Sequence, residues 1–387
     1  MKVFLIAGEP SGDRLGGALM AGLKELSPGI RFDGIGGRAM EAEGLASRFP
    51  MDELSVMGIA EVLPRYRHLM RRIRETAAAI LADSPDVVVT IDSPDFCLRV
   101  LKRVRAEDPG IPTVHYVAPT VWAWRANRVE KMRGLIDRVM TLFPFEPSYM
   151  EAAGIPADFV GHPVVSEPVA TEAEIAAVRA KLGLGDASVL LVLPGSRRGE
   201  VDRLGPIFGE ALRPVLARHP EMRVAVAAAA PVASLVEAGI RRWPGAPVVL
   251  DPRGVPEAVA SAEKRALFAG ATAALAASGT VSLELAAAGT PMVIAYDFNW
   301  ISRQIIKQML KIDTVTLVNL VAESRTVPEF LGAACKPVTI AEGLLGVLDA
   351  PGAQAEALSL TMDRLGRGDE APGLRAARSV LSALKAP

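Results

Sequence analysis

The chain has little cysteine, few aromatics and almost no net charge, and each shortage closes off a class of protein. Cys97 and Cys335 are the only cysteines in 387 residues and lie far apart, so no disulfide framework is expected and a reducing cytoplasm is. The four histidines (His68, His115, His162, His219) lack the spacing of metal ligands with one another or with cysteine, so no metal cofactor is expected. Basic residues number 43 and acidic residues 44, a formal net charge of -1. No global positive field exists to attract a polyanion, and no nucleic-acid partner is expected. The Ala-rich stretch from Val224 to Val236 contains Pro231 and falls short of the ~20 residues that span a bilayer. The opening apolar run, Val3 to Ala7, is too short for a signal-peptide core. A P-loop of the GxxxxGKS type is missing, so ATP hydrolysis is not indicated.

What the sequence does have is aliphatic bulk. Half of it is hydrophobic with only 5% aromatics, which suits a Val, Leu, Ile and Ala core of buried parallel strands under helices. Short apolar runs alternate with helical patterns throughout, the mark of repeated βαβ units. Strands are expected at Val3–Ala7, Val87–Ile91, Thr113–Val117 and Val139–Phe143, with amphipathic helices at Arg14–Leu26 and Leu69–Ala82. A second series follows at Val189–Leu193, Arg223–Ala227, Val248–Leu250, Ala271–Ala276 and Met292–Tyr296, after a helix near Glu172–Leu182. The expected class is α/β, with two Rossmann-like domains facing across a cleft. The first spans 1–163 and the second 164–350, while a helical segment, 351–387, could return to the first. Ligands of such sheets bind beyond the carboxyl ends of the strands, so those loops carry the functional candidates.

Two loops of the second domain suit a nucleoside diphosphate. Gly195, Ser196 and Arg197 follow a strand, offering backbone N–H groups and a guanidinium to phosphate. Ser278, Gly279 and Thr280 follow another, and Glu284, about one turn into the next helix, could accept from both ribose hydroxyls. Each has a plainer reading, an ordinary turn or a capped helix.

The first domain offers carboxylates at strand ends. Glu9 and Asp13 follow the first strand; Asp92 and Asp95 follow Val87–Ile91. A positioned carboxylate can take the proton of a sugar hydroxyl as it attacks. Asp92 is the first choice for that base, with Asp95 and Asp13 competing, unless one merely caps a helix. The stretch from His115 to Arg125 holds two of the four tryptophans; His115, Trp124 and Arg125 could hold a sugar phosphate, or belong to core and solvent. Further upstream, residues 62–74 set five arginines among large apolar groups. Val62, Leu63, Arg65, Tyr66, Arg67, Leu69, Met70, Arg71 and Arg72 read as a surface resting on anionic lipid, although charge runs are also ordinary solvated helix faces.

Taken in order, several segments resemble the lipid-A-disaccharide synthase family along nearly the whole chain. They are Ala7-Gly8-Glu9-Pro10-Ser11-Gly12-Asp13, Val56-Met57-Gly58-Ile59-Ala60-Glu61-Val62, Ile91-Asp92-Ser93-Pro94-Asp95-Phe96, and His115-Tyr116-Val117 with Val121-Trp122-Ala123-Trp124-Arg125. Leu193-Pro194-Gly195-Ser196-Arg197, Ala277-Ser278-Gly279-Thr280 with Glu284, and Asn319 complete the series. Pro10, Arg198 and Val318 depart from the usual pattern without removing a candidate group. The resemblance implies a GT-B fold and a metal-independent, inverting glycosyl transfer. The donor would be UDP-2,3-diacylglucosamine and the acceptor 2,3-diacylglucosamine 1-phosphate, giving a β(1→6) disaccharide 1-phosphate and UDP. It also implies Asp92 as base, Ser11 in the substrate loop, and Arg197, Glu284 and Asn319 at the donor. A place on the cytoplasmic face of the inner membrane and a homodimer are implied as well. The rival readings are a UDP-sugar 2-epimerase of similar architecture and a non-catalytic nucleotide-binding protein recruited to membranes; neither gives work to both the acidic loops and the basic stretch.

Overall fold

In a computed structural model of the chain, residues 1–54, 59–119, 127–297 and 313–384 are described; side chains of 59–65 and 127–128 fall outside that description. The chain divides into two units, Met1–Ser166 with Leu365–Pro387, and Glu167–Arg364.

The first unit is a six-stranded parallel sheet of β1 (Lys2–Ala7), β2 (Arg31–Ile35), β3 (Val87–Ile91), β4 (Thr113–Tyr116), β5 (Arg138–Thr141) and β6 (Ala157–Phe159). Their order is β2-β1-β3-β4-β5-β6. All five residues of β3, Val-Val-Val-Thr-Ile, are buried, as a strand covered on both faces by helices must be. Helices α1 (Pro10–Leu26), α2 (Arg38–Ala42), α3 (Ile59–Asp83) and α4 (Pro94–Glu107) alternate with the first strands. Pro10 occupies the first helical turn, where its missing N–H costs nothing.

The second unit repeats the plan with β7 (Val189–Leu193), β8 (Arg223–Ala227), β9 (Val248–Leu250), β10 (Ala273–Ala277), β11 (Met292–Tyr296) and β12 (Glu329–Leu331). All pairings are parallel, in the order β12-β11-β10-β7-β8-β9. These are two Rossmann-like units of the GT-B type.

Each order reverses direction once. In the first unit β1 lies between β2 and β3, so successive crossovers depart to opposite sides and leave a crevice at the carboxyl ends of β1 and β3. In the second, β7 lies between β10 and β8, and the equivalent crevice lies at β7 and β10. Open parallel sheets bind ligands at such switch points. The loops after these four strands begin at Gly8, Asp92, Pro194 and Ser278.

The segment 351–387 is shared between the units. Helix Ala355–Arg364 stays with the second, while helix Pro372–Ala383 belongs to the first and packs on α1. Glycines permit the close crossing: a Cβ on Gly373 would stand 2.5 Å from the carbonyl oxygen of Ala18. Arg375 donates to the Phe159 carbonyl (2.9 Å) and Ser379 to Asp158 (2.6 Å), which ties this helix to edge strand β6.

Candidate active site

In the second unit, the turn after β7 is made by Gly195 at φ +113°, a conformation that favours glycine. The next helix, Arg198–Arg218, begins directly afterwards. The N–H groups of Ser196 and Arg197, expected to stand open toward a phosphate, instead donate to one carboxylate oxygen of Glu200, at 3.0 and 3.2 Å. The other oxygen receives the Arg197 guanidinium and the Tyr296 hydroxyl, both at 3.3 Å. The Arg197 side chain remains 65% exposed.

After β10, Gly279 turns the chain at φ +153°, and the Ser282 hydroxyl closes the loop on the Gly279 carbonyl at 2.9 Å. Thr280 stands at the helix start with no cap bond from its side chain. Glu284, one turn on, pairs with Lys264 at 2.5 Å. Gly195, Ser196, Arg197, Ser278, Gly279, Thr280 and Glu284 all line one cavity of about 670 Å³. Its remaining wall is largely apolar, with Ala227–Ala230, Leu250, Pro252 and Phe268, as suits the flat face of a base. Asn319 is placed differently. It is buried, and its amide bonds both ways with the backbone of Val327, at 2.9 and 3.1 Å. These bonds close the chain around residues 319–327.

In the first unit, Asp92 and Ser93 end β3 with two successive left-handed residues, φ +51° and +44°. Non-glycine residues pay for this geometry, and such strain gathers at functional sites. Burial raises the Asp92 carboxyl above its ordinary 3.8, while a backbone hydrogen bond at Ser93 lowers it. The neighbouring loop abuts here, for a Cβ on Gly8 would come within 2.5 Å of the Ser93 hydroxyl. Glu9 is the extended residue ahead of α1, and Ser11 is exposed in its first turn. Asp95 is exposed in the first turn of α4, where the helix dipole favours it.

Asp13 and His115 are engaged otherwise than expected. The buried Asp13 carboxylate accepts the N–H groups of Gly37, Ala39 and Met40 at 2.7, 2.9 and 3.1 Å, capping α2. A carboxylate so engaged is a structural cap. His115 is buried inside the sheet, its Nδ1 2.7 Å from the hydroxyl of Thr90 opposite it on β3. Burial lowers its pKa to about 4, so the ring is neutral at ordinary pH. Trp124 and Arg125 lie outside the described residues.

The basic stretch forms part of α3. Its inner face carries Ile73, Thr76, Ala77 and Ile80, all buried. Tyr66, Arg67, Arg71 and Arg74 are exposed, and Leu69 and Met70 are half-buried. The side chains of Val62, Leu63 and Arg65 lie outside the described residues. Arg72, expected to face lipid, instead grips Glu53 through two bonds of 2.7 and 2.8 Å and lies over the Phe49 ring at 4.4 Å. Together with His68 at 2.6 Å, it holds the Glu53 carboxyl down at about 2. No helix among the described residues is long and apolar enough to cross a membrane.

Sequence reasoning passed over Glu200, Tyr296, Lys264 and Ser93. Only Glu200 left a signal, a glutamate three residues past the helix-start residue Arg197.

The model of the lipid-A-disaccharide synthetase family matches residues 3–358. The lipid-A-disaccharide synthase of Ruegeria pomeroyi is 64% identical over 384 residues, covering 99% of this chain and 96% of the relative. That of Rhodospirillum centenum is 44% identical over 389 residues, covering 99% and 95%. Among solved structures, a UDP-GlcNAc 2-epimerase from Neisseria meningitidis bound to UDP-GlcNAc shares the fold at TM-score 0.63 and 13% identity, covering 100% of both chains. A putative UDP-N-acetylglucosamine 2-epimerase from Listeria monocytogenes does so at 0.61 and 14%, covering 99% and 95%. At such identities the epimerases report the fold alone. Both the family match and the curated relatives extend over nearly the whole chain, and the protein belongs to the lipid-A-disaccharide synthetase family.

Proposed function

We infer that this glycosyltransferase joins UDP-2,3-diacylglucosamine to 2,3-diacylglucosamine 1-phosphate, with inversion, to give the β(1→6) disaccharide 1-phosphate and UDP. The observation that carries the reading is the donor cavity. One pocket brings together Arg197, two glycine turns with their serine and threonine hydroxyls, and Glu284, the groups that a diphosphate and a ribose require.

In the proposed step, Asp92 takes the proton of the acceptor's 6-hydroxyl while that oxygen bonds to the donor's anomeric carbon. The bond from that carbon to the UDP oxygen breaks on the opposite face. Arg197, with the hydroxyls of Ser278 and Thr280, stabilises charge growing on the leaving diphosphate. Burial suits Asp92 to this work, since a raised carboxyl is a stronger base than an ordinary one. Asp95 is a competing carboxylate on an exposed turn, Ser11 and Glu9 flank the acceptor, and Asp13 serves only α2. No metal enters the scheme, and the test below checks this by including EDTA.

Both substrates carry acyl chains, so the enzyme must work at a bilayer. Tyr66, Arg67, Arg71 and Arg74 on the outer face of α3 supply an aromatic edge and cations for anionic headgroups on the cytoplasmic side. A homodimer follows the family resemblance alone.

The test is product analysis in detergent micelles with EDTA present. A β-linked disaccharide 1-phosphate, identified by its anomeric coupling, supports the reading. Epimerised UDP-sugar formed without acceptor overturns it.

A further inference from the structure

Four donors of the kinds that bind phosphate already converge on an anion, and that anion is part of the chain. Two backbone N–H groups, a guanidinium and a phenol all point at the Glu200 carboxylate. A capping glutamate ordinarily returns to the N–H of the helix-start residue alone. Here the same oxygen also takes the N–H of Ser196, one residue outside the helix, while the second oxygen takes Arg197 and Tyr296. Only 12% of the Glu200 side chain is exposed, and it lines the same cavity as the two glycine turns. Gly195 makes room for it, since a Cβ there would lie 2.6 Å from the Cβ of Glu200. With the carboxylate in place, a diphosphate can reach neither N–H.

We propose that Glu200 is an internal stand-in for the donor's diphosphate, displaced when UDP-sugar enters and returning to its donors as UDP leaves. This rests on the donor site inferred above. The device has a kinetic purpose. A loop with open N–H groups and a free arginine would hold the product UDP tightly and admit free phosphate between turnovers. A resident carboxylate competes with both and keeps the loop ordered in the donor-free state. Ordered donors reform around an arriving diphosphate without rebuilding the turn.

The experiment compares UDP and uridine binding by calorimetry in the wild type, Glu200→Gln and Arg197→Ala. A neutral amide competes for N–H groups and guanidinium less strongly than a carboxylate. Glu200→Gln should therefore bind UDP about fivefold tighter, the gap between charged and neutral hydrogen bonds. Uridine, which has no phosphate, should bind both proteins equally, and the inhibition constant of UDP should fall in step with its dissociation constant. A folded Glu200→Gln that binds UDP equally or more weakly overturns the proposal, because a mere cap predicts that result. A wild-type structure with UDP bound gives a check that does not depend on the variant folding. Glu200 should have left both N–H groups, and a carboxylate still accepting from Ser196 and Arg197 overturns the proposal. Arg197→Ala separates the two inferences. If it binds UDP as well as the wild type does, the donor-site assignment itself fails; if it binds weakly while Glu200→Gln shows no gain, only the stand-in fails.

Discussion

Replacing Gly8 with alanine puts a methyl group where the loop after β1 meets the loop after β3. The new Cβ would lie 2.5 Å from the Ser93 hydroxyl, 3.1 Å from the Ser93 Cβ and 3.3 Å from the Leu54 Cβ. Contacts of this kind do not form below about 3 Å, so the hydroxyl must move aside, and the Cβ of Ser93, at 3.1 Å, must give by a few tenths of an ångström. Its hydroxyl can rotate, but its Cβ is held by a left-handed backbone shared with Asp92. The shift therefore passes to the proposed base. A misplacement of about 1 Å can cost about 10²-fold in rate, so a few tenths of an ångström costs about fourfold. Overpacking adds about 1–3 kcal/mol of destabilisation. Among the described residues, the proposed donor cavity is lined by those of the second unit, so UDP affinity should not change. Ser93→Gly removes the clashing atoms and suits φ +44°, so Gly8→Ala/Ser93→Gly should recover most of the loss. The assay is steady-state turnover alongside UDP calorimetry for the two single variants and the double. Full activity in Gly8→Ala, or no rescue by Ser93→Gly, would refute the claim that these loops position Asp92 together.

Asp92→Asn should lower turnover by about 10²–10⁴-fold, the usual worth of a general base, with UDP affinity retained. Because the base must be ionised and burial raises its pKa, the rate should fall with decreasing pH at a point above 3.8, and an acid limb at or below that value contradicts the assignment. Asp13→Ala strands three N–H groups, that of Met40 buried, and should cost about 1–3 kcal/mol in thermal unfolding while the folded protein keeps its turnover; the reverse pattern would make Asp13 catalytic. Glu53, depressed from 4.5 to about 2 chiefly by its hydrogen bond from Arg72, contributes stability fully present above pH 4.5 and lost as pH falls toward 2. Melting temperatures from pH 5 to 3 should fall more steeply for the wild type than for Glu53→Gln, and parallel curves would deny the Glu53–Arg72 link.

The central strands were legible because burial on both faces writes them as unbroken apolar runs, as in Val87–Ile91 and Val189–Leu193. Strands β2, β6 and β12 passed unseen: they are the short edges Arg31–Ile35, Ala157–Phe159 and Glu329–Leu331, half-buried and carrying charge. Helix α3 begins ten residues before the amphipathic pattern was read, at Ile59 rather than Leu69. The glycine turns at 195 and 279 showed themselves by position after a strand. His115 misled because a polar residue at a strand exit reads as functional, and its partner Thr90 becomes visible only in the register of β3 against β4. Asp13 and Asn319 both hydrogen-bond to backbone 8–27 residues away, a distance no local pattern spans. The closure of Glu200 over Ser196 and Arg197 was written as a capping spacing, but its extra partner Tyr296 comes from β11.

The most direct test measures UDP release from UDP-2,3-diacylglucosamine, with and without 2,3-diacylglucosamine 1-phosphate, in detergent micelles and without added metal. Acceptor-dependent release, matched mole for mole by disaccharide 1-phosphate, is the expected result. UDP release that ignores the acceptor, or none with both substrates present, would contradict the assignment of this chain's two switch points to one glycosyl transfer.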